Sequence, residues 1–371
     1  MKILLAGLTT RAIAESAVRA GCDIVTVDSF GDLDQQRLCQ NISLRELGLT
    51  YSAAAIVEAA GSLAYDAVAY CGGLENHPRA VARLAEGKTL LRNAADTLRR
   101  VRDPAQLFPF LAAGGFAVPD TLHPGAPLPA GGRWLCKPVR SGGGVGIRRW
   151  TGQPLAAGQI LQAHVEGTPS SAAFVADGTR SLLLAWTEQL RGPHGFLYGG
   201  NILPLEAPAT ALDEVRALAE ALTGEFDLRG VNGFDFVLRQ GRPVLVEVNP
   251  RYCASMELWD RATGHSVFAL HLAAHRGMLP EPVAIPDGAW GKAIVYAPRR
   301  LTVGDTPAWV ERGVRDVPPP GAVIREGHPI CTVLARAASR AACRARLEAE
   351  TAAILAECEG APPLDIAGRT L

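Results

Sequence analysis

The first 80 residues alternate short apolar runs with a segment of helical periodicity. "KILLAG", "CDIVTVDSF" and "YDAVAYCGG" each predict a strand, and "RAIAESAVRAG" spaces its apolar residues as a helix does. Repetition of strand and helix is typical of a parallel sheet with crossover helices. We therefore expect the polar residues at the strand ends to gather at one edge: Thr9, Thr10, Arg11, Asp28 and the loop "CGGLENHP".

The pattern changes after residue 80. Residues 81–117 favour helices, with a break near Pro104. From Arg133 the chain predicts antiparallel strands in "RWLCKPV", "GIRRW", "ILQAHV", "SSAAFVADG" and "SLLLAWTEQL". A helix at 211–223 and a hairpin from "VNGFDFVL" to "RPVLVEVNP" follow. The last part is Pro-rich and strand-like, and it ends in the amphipathic helix "SRAACRARLEAETAAILAEC".

Composition excludes several classes of function. The 371 residues carry 37 basic and 37 acidic side chains, so the net charge is zero, without the basic surplus of a nucleic-acid-binding surface. No run of 18 apolar residues predicts a membrane span, and "MKILLAGLTTRAIAES" does not fit a signal peptide. The eight cysteines are scattered without a CxxC pair, as in intracellular proteins. We expect a cytoplasmic protein of more than one domain that acts on small molecules.

The first strand is not followed by a dinucleotide-binding loop. The chain reads "GLTTR" at that point, where a nicotinamide-dependent enzyme would carry GxGxxG. The sequence therefore does not favour an NAD-dependent oxidoreductase.

A lysine followed by a cluster of glycines marks the stretch "WLCKPVRSGGGVGIRRW". Lys137 closes an apolar strand, and the turn after it contains Gly142, Gly143, Gly144 and Gly146. Glycines permit backbone conformations that aim several N–H groups at one anion. Phosphate is the natural guest for such a loop. A flexible hairpin tip with an exposed lysine is the alternative that this stretch leaves open.

The hairpin at 231–251 carries two carboxylates. A three-residue loop, Gln240–Arg242, would pair Arg239 with Pro243 and set Asp235 directly opposite Glu247. Strand alternation would place Leu245, Glu247 and Asn249 on one face. Two carboxylates so close repel each other unless a cation lies between them, and hard oxygen ligands suit Mg²⁺. A metal–phosphate site for a nucleoside triphosphate follows from the two motifs together.

These residues resemble the ATP-grasp superfamily, on the lysine–glycine loop and the signature "DF…VEVNPR". The resemblance implies an α/β and α+β protein with the ATP-grasp fold. It implies a Rossmann-like pre-ATP-grasp domain at 1–94, an ATP-grasp domain of two subdomains at 95–280 and a C-terminal segment at 281–371. The lid would be the loop 141–146.

The resemblance also assigns roles within the site. ATP would be bound by Arg102, Lys137 and the lid residues Ser141, Gly142, Gly143, Gly144 and Gly146. In the hinge "ILQAHVEG", the backbone of Ala163 and Val165 would read the adenine edge and Glu166 would reach the ribose. Mg²⁺, with Mn²⁺ as a substitute, would be held by Asp235, Glu247 and Asn249. Arg251 would lie beside the transferred phosphoryl group, and it and Lys137 are the candidate catalytic residues.

The implied activity is an ATP-dependent carboxylate–amine ligation through an acyl phosphate. The closest resemblance is to ATP-grasp ligases associated with one-carbon carriers of the methanopterin and methanofuran type, which suggests glutamate and an amine such as tyramine. The C-terminal part resembles biotin-carboxylase-like members, so a bicarbonate-using carboxylase is an alternative. A non-catalytic nucleotide-binding subunit is another. We expect small-molecule partners, no nucleic acid and no membrane, and a homodimer is compatible with the sequence.

Overall fold

The computed structural model describes residues 1–91 and 93–360; residues 361–371 of the predicted C-terminal segment lie outside the described part. The helices are α1 (Arg11–Arg19), α2 (Leu33–Gln36), α3 (Ala53–Ala60), α4 (Pro78–Leu84), α5 (Ala95–Val101), α6 (Pro104–Ala113), α7 (Ala209–Phe226), α8 (Met256–Thr263), α9 (Val267–His275), α10 (Pro307–Glu311) and α11 (Arg340–Gly360). In the described residues no helix is both long and apolar enough to cross a membrane.

The strands fall into two groups along the chain. Those before residue 165 are β1 (Lys2–Ala6), β2 (Asp23–Asp28), β3 (Gln40–Ser43), β4 (Ala67–Tyr70), β5 (Thr89–Leu90), β6 (Thr121–Leu122), β7 (Trp134–Pro138), β8 (Arg148–Arg149) and β9 (Gln159–Ala163). The later ones are β10 (Thr168–Asp177), β11 (Ser181–Arg191), β12 (Tyr198–Leu203), β13 (Arg229–Arg239), β14 (Arg242–Asn249), β15 (Ala289–Tyr296), β16 (Leu301–Thr302), β17 (Val323–Ile324) and β18 (Pro329–Ala337).

The N-terminal strands form the parallel sheet that their alternation with helices predicts. Its order is β3-β2-β1-β4-β5, and every pairing is parallel. Apolar residues on both faces are buried, as a parallel sheet covered by helices requires. The carboxyl ends of the strands therefore meet at one edge, where Thr10 donates its hydroxyl to Asp28 at 2.6 Å.

The central element is a seven-stranded sheet in the order β14-β13-β10-β11-β12-β15-β18. Its last two strands come from the C-terminal segment, so this segment extends the sheet itself and α11 packs on it. Helix α7 covers the opposite part of the sheet through a core that includes Phe174, Phe226 and Phe234. A smaller sheet, β6-β9-β7-β8, carries Lys137 and the glycine loop.

The break between α5 and α6 has a local cause. Asp103 caps α6 by accepting the N–H of Ala105 at 3.0 Å, and Pro104 occupies the first helical position, where a missing N–H costs nothing. The cap places Arg102, the residue that ends α5, at the junction of the two helices. The predicted break near Pro104 is confirmed.

The hairpin of β13 and β14 differs from the prediction in its loop. Gln240 and Gly241 alone make the turn, both with positive φ, and Arg239 pairs with Arg242. Twist-matched two-residue turns of this kind are the commonest in hairpins. A β-bulge then adds one residue to β14 between the partners of Asp235 and Phe236. The predicted three-residue loop is wrong, yet the bulge restores the opposition of Asp235 and Glu247.

The bulge also makes the predicted alternation of side chains wrong at Leu245. Leu245 was expected on the face of Glu247, but it is fully buried in the core that Phe236 and Val248 share. Val246 is the extra residue, so the face reverses between Leu245 and Glu247. The carboxylate pair thus faces away from the apolar core that its strands help to form.

The glycine loop between β7 and β8 lies against the segment that leads into β12. Tyr198 donates its backbone N–H to the carbonyl of Gly143 at 3.0 Å. Gly143, Gly144 and Gly146 have positive φ, and a Cβ built on Gly144 would overlap the carbonyl oxygen of Phe196. This close approach of two backbones requires glycine at position 144.

A buried charge network joins the N-terminal sheet to the rest of the chain. Arg11 is 1% exposed and binds Glu257 of α8 at 2.5 Å and Asp316 at 2.9 Å. Glu257 also accepts from Lys292 of β15 at 2.6 Å. Burial opposes ionisation of Glu257, but Arg11 and Lys292 outweigh it and hold the pKa of this carboxyl well below its usual range.

Replacement of Arg11 by leucine should lower the free energy of unfolding by up to about 3–5 kcal/mol, because buried Glu257 loses one of its cations and Asp316 loses its partner in the network. Arg19→Leu is the matched control, since Arg19 lies on the same helix, is 32% exposed and pairs with Glu15 at 3.5 Å. This control should cost about 1 kcal/mol or less. Urea denaturation of both variants measures the difference, and equal losses would contradict the network's role.

Gly144→Ala should displace the glycine loop and make it more accessible to protease. Gly143→Ala is the control, since it has a similar positive φ of 61° against 78° but nothing within 4 Å of the added Cβ. Both variants carry the backbone strain, and only Gly144→Ala carries the overlap. We expect trypsin to cleave after Arg140 or Arg148 about tenfold faster in Gly144→Ala than in the control. Equal rates would contradict the packing against Phe196.

Candidate functional site

The candidate site is a cleft between the α5–α6 junction, β7, the glycine loop and β14. It encloses about 50 Å³ and opens to solvent, and its lining includes Arg102, Lys137, Ser141, Gly142, Gly144 and Glu247. Apolar side chains supply much of the remaining wall, among them Leu107, Phe108, Ile147 and Ile160. A largely apolar cleft with a few converging charged groups is typical of a small-molecule site.

Two carboxylates face each other at one end of this cleft. Asp235 and Glu247 are cross-strand partners, and Asp235 accepts from the side chains of Gln189 at 2.8 Å and Asn249 at 3.3 Å. Desolvation and the charge of Glu247 raise the pKa of Asp235 to about 7. Burial acts in the same sense on Glu247, but Arg102 and Lys137 outweigh it and lower its pKa. The two carboxylates thus repel each other in a buried site, where water screens their charges poorly.

Arg102 binds the glutamate of this pair directly. Its guanidinium donates to Glu247 at 2.5 Å, to the carbonyl of Val248 at 2.9 Å and to the carbonyl of Ser141 at 3.0 Å. The Nε of Arg102 is buried without a hydrogen-bond partner, which leaves one donor for a ligand. The structure therefore brings Arg102 to the end of the cleft that holds the carboxylate pair.

Lys137 reaches the same end of the cleft from β7. Its ammonium donates to the side-chain oxygen of Gln162 at 2.9 Å and lies 3.5 Å from the carbonyl of Val246, the bulged residue. Burial is the main influence on this ammonium and lowers its pKa from the ordinary value. Lys137 is thus held by neutral groups beside the carboxylate pair and keeps a cation available at the site.

Arg251 connects the carboxylate hairpin to the N-terminal sheet. Its Nε donates to Glu75 at 2.7 Å, and a terminal nitrogen donates to the oxygen of Asn249 at 3.1 Å. Burial opposes the charge of Arg251, but Glu75 outweighs it and raises the pKa of the guanidinium. Glu75 follows β4, so the edge of the parallel sheet that the strand pattern predicted contributes to this site.

The hinge residues lie outside the lining of the cleft. Ala163 ends β9, and its N–H donates to the carbonyl of Asp120 at 2.8 Å. Val165 follows the strand and is partly exposed. Glu166 is 62% exposed and pairs with Arg133. The assignment of adenine and ribose contacts to these three residues stays a prediction.

The donor set fits a magnesium ion that also binds phosphate and water. Within residues 1–91 and 93–360 no group of three or more histidine, cysteine, aspartate or glutamate side chains is arranged to hold a metal. The predicted set consists of two opposed carboxylates and one amide, all hard oxygen donors. Mg²⁺ binds through one or two carboxylates and completes its coordination with phosphate and water, so this set suffices when a phosphate is present.

Several residues of the site escaped the sequence analysis. Asn76 accepts from Arg102 at 2.9 Å and donates to the carbonyl of Ser141 at 3.3 Å, Gln162 holds Lys137, and Gln189 holds Asp235. Glu75 and Asn76 stood out only as polar residues on a glycine-led loop. Gln162 and Gln189 carry no local signal, because their strands appear as ordinary sheet members.

The sequence of this chain is similar to those of known proteins. Residues 101–255 match the family described as the ATP-grasp domain. An uncharacterised protein of Methanocaldococcus jannaschii is 24% identical over 182 residues, which span 48% of this chain and 42% of that protein. The formate-dependent phosphoribosylglycinamide formyltransferase of a Synechococcus species is 26% identical over 327 residues, 80% of each chain.

The fold has a solved counterpart. A biotin carboxylase from Campylobacter jejuni, in complex with an ATP analogue, superposes with a TM-score of 0.72 at 14% identity, covering 94% of this chain and 90% of that one. The segment of the family match contains Arg102, Lys137, the glycine loop, the carboxylate hairpin and Arg251. Residues 101–255 therefore form an ATP-grasp domain, the family that the lysine–glycine loop and the carboxylate hairpin indicated.

Proposed function

We propose that the protein is an ATP-dependent ligase that joins a carboxylate to an amine. One observation carries this proposal: three cations from three different elements converge on the opposed carboxylates under a glycine loop. Such an arrangement suits the meeting of two anions, a carboxylate and a triphosphate, whose repulsion has to be neutralised.

The side chains suggest how ATP would be held. Arg102 offers its unpartnered Nε, Lys137 offers an ammonium, and the positive-φ glycines 143, 144 and 146 can turn backbone N–H groups toward phosphate oxygens. Asp235, Glu247 and Asn249 would hold Mg²⁺, which neutralises charge on the phosphates when it is bound. The glycine loop would exclude water from the reacting groups while it rests on the segment before β12.

The reaction would proceed in two displacements. An oxygen of the substrate carboxylate attacks the γ-phosphorus of ATP, the bond to the β-phosphate breaks, and an acyl phosphate and ADP result. The amine nitrogen then attacks the acyl carbon, phosphate leaves and the nitrogen loses a proton. Arg251, anchored between Glu75 and Asn249, is positioned to stabilise the charge that develops on the transferred phosphoryl group.

The substrates are a second level of the proposal. The Synechococcus relative depends on formate, which favours a small carboxylate. The resemblance to ligases of methanopterin-type and methanofuran-type carriers favours glutamate with tyramine, in the biosynthesis of a one-carbon cofactor. The likeness to a biotin carboxylase, whose fold this chain shares, keeps bicarbonate as the alternative acid.

ADP release with Mg·ATP tests the proposal against formate, glutamate and bicarbonate, each with and without tyramine or glycinamide. A ligase should release ADP only with one acid, faster with one amine, and mass spectrometry should find the amide. Incorporation of labelled bicarbonate into a product would instead support the carboxylase. Binding of Mg·ATP with no acid-dependent ADP release would contradict the ligase and support a nucleotide-binding subunit.

Glu247→Gln should reduce ADP release at least about 100-fold, since loss of one charged group at such a site costs that order of rate. The matched control is Glu225→Gln, which removes an exposed partner of Arg100 that is not among the residues lining the cleft. Both variants should keep the native circular dichroism spectrum. Normal turnover in Glu247→Gln would show that the assignment of the metal site is wrong.

A further inference from the structure

The carboxylate of Glu75 has an oxygen that nothing in the structure satisfies. One oxygen accepts from Arg251 at 2.7 Å, while the other, Oε2, is buried without a hydrogen-bond partner. The side chain is 0% exposed, so water does not compensate the free oxygen. An unpaired buried carboxylate oxygen destabilises the fold, and more so than an unpaired neutral group in the same position. Such a cost is expected where a ligand supplies the missing donor.

A second unsatisfied polar group lies beside the first. The hydroxyl of Tyr51 is buried without a partner, and it packs so closely on the loop that a Cβ on Gly73 would overlap it. Burial raises the pKa of the Tyr51 phenol, and the charge of Glu75 raises it further. Two independent polar side chains thus leave hydrogen-bonding capacity unused at one place, on the glycine-led loop after β4.

This place adjoins the reacting end of the proposed ATP site. Glu75 is joined through Arg251 to Asn249, and Asn249 donates to Asp235. A Cβ built on Gly142 of the glycine loop would lie 3.9 Å from the bound oxygen of Glu75. The loop therefore contacts Glu75 as well as lining the cleft, and a group bound by Glu75 would lie next to the carboxylate pair.

The charges at this edge of the parallel sheet select the kind of group that can bind. Arg251 is taken by Glu75, Arg11 by Glu257 and Asp316, and Lys292 by Glu257. Further carboxylates surround Arg11, including those of Glu15 and Asp34. Because Arg251 also faces the phosphoryl group of ATP, a second phosphate here would find each of these cations already engaged, and it would meet carboxylates that repel it. An ammonium group would instead be attracted by these carboxylates.

We propose that the second substrate is an amine without a phosphate, bound as its ammonium form by Glu75 with Tyr51 beside it. This inference rests on the proposed function, and it separates this chain from the relative whose substrate is phosphoribosylglycinamide. An ammonium donates three hydrogen bonds, so it satisfies Glu75 Oε2 and the Tyr51 oxygen together. The amine nitrogen would then lie on the Arg251 side of the carboxylate pair, where the acyl group forms. It would transfer one proton to the Glu75 carboxylate before it attacks, because an ammonium has no lone pair.

Direct binding tests the inference without requiring turnover. The probes are two matched pairs, tyramine with O-phosphotyramine and ethanolamine with phosphoethanolamine, together with methylammonium, measured by calorimetry on the full chain with Mg²⁺ and a non-hydrolysable ATP analogue. The non-phosphorylated member of a pair, or methylammonium, should bind more tightly than any phosphorylated amine. Tighter binding of a phosphorylated amine would overturn the proposal, and so would the absence of binding by every probe at millimolar concentration.

Glu75→Gln should weaken binding of the amine about tenfold or more, the effect of losing one charged hydrogen bond. Tyr51→Phe should weaken it less, since the carboxylate remains. Binding of the ATP analogue should change little in Tyr51→Phe, and this separates loss of the amine site from loss of the fold. Unchanged amine binding in Glu75→Gln would overturn the proposal. Amine binding without any ADP release would leave it standing and refute the ligase instead.

Discussion

The repulsion between Asp235 and Glu247 organises the site. Strand pairing fixes the two carboxylates opposite each other, and the bulge at Val246 turns both away from the core that Leu245, Phe236 and Val248 fill. Two such charges are tolerated only with compensation. Arg102 comes from a helix junction, Lys137 from the smaller sheet and Arg251 from the chain after the hairpin, so one electrostatic requirement holds three parts of the fold together.

The sequence predicted the elements and the opposition of the carboxylates, because strand alternation, Pro104 and the glycine cluster are local signals. It missed the bulge, since an extra residue in a strand leaves no trace in composition. The error in the loop and the omission of the bulge cancelled for Asp235 and Glu247 but not for Leu245, whose burial shows the true register. The hinge residues Ala163, Val165 and Glu166 remain predictions that the cleft lining does not support.

The contacts that sequence reasoning missed join residues far apart in the chain. Glu75 and Arg251 are 176 residues apart, and Arg11 and Asp316 are 305 apart. A lone charged residue on a loop gives no indication of its partner, and the burial that makes these pairs strong appears only after folding. Gln162 and Gln189 are similar, because an amide that orients a charged neighbour is indistinguishable in sequence from an amide on a surface strand.

Asn76 links the N-terminal sheet to both Arg102 and the glycine loop. It binds Arg102 and the carbonyl of Ser141 at once, so a residue of the N-terminal sheet holds both a cation of the carboxylate pair and the start of the glycine loop. The N-terminal unit therefore helps to hold the glycine loop in place, and it also forms one edge of the site. A chimaera that carried a foreign N-terminal unit would therefore change the contacts to Arg251, to Arg102 and to the glycine loop in one step.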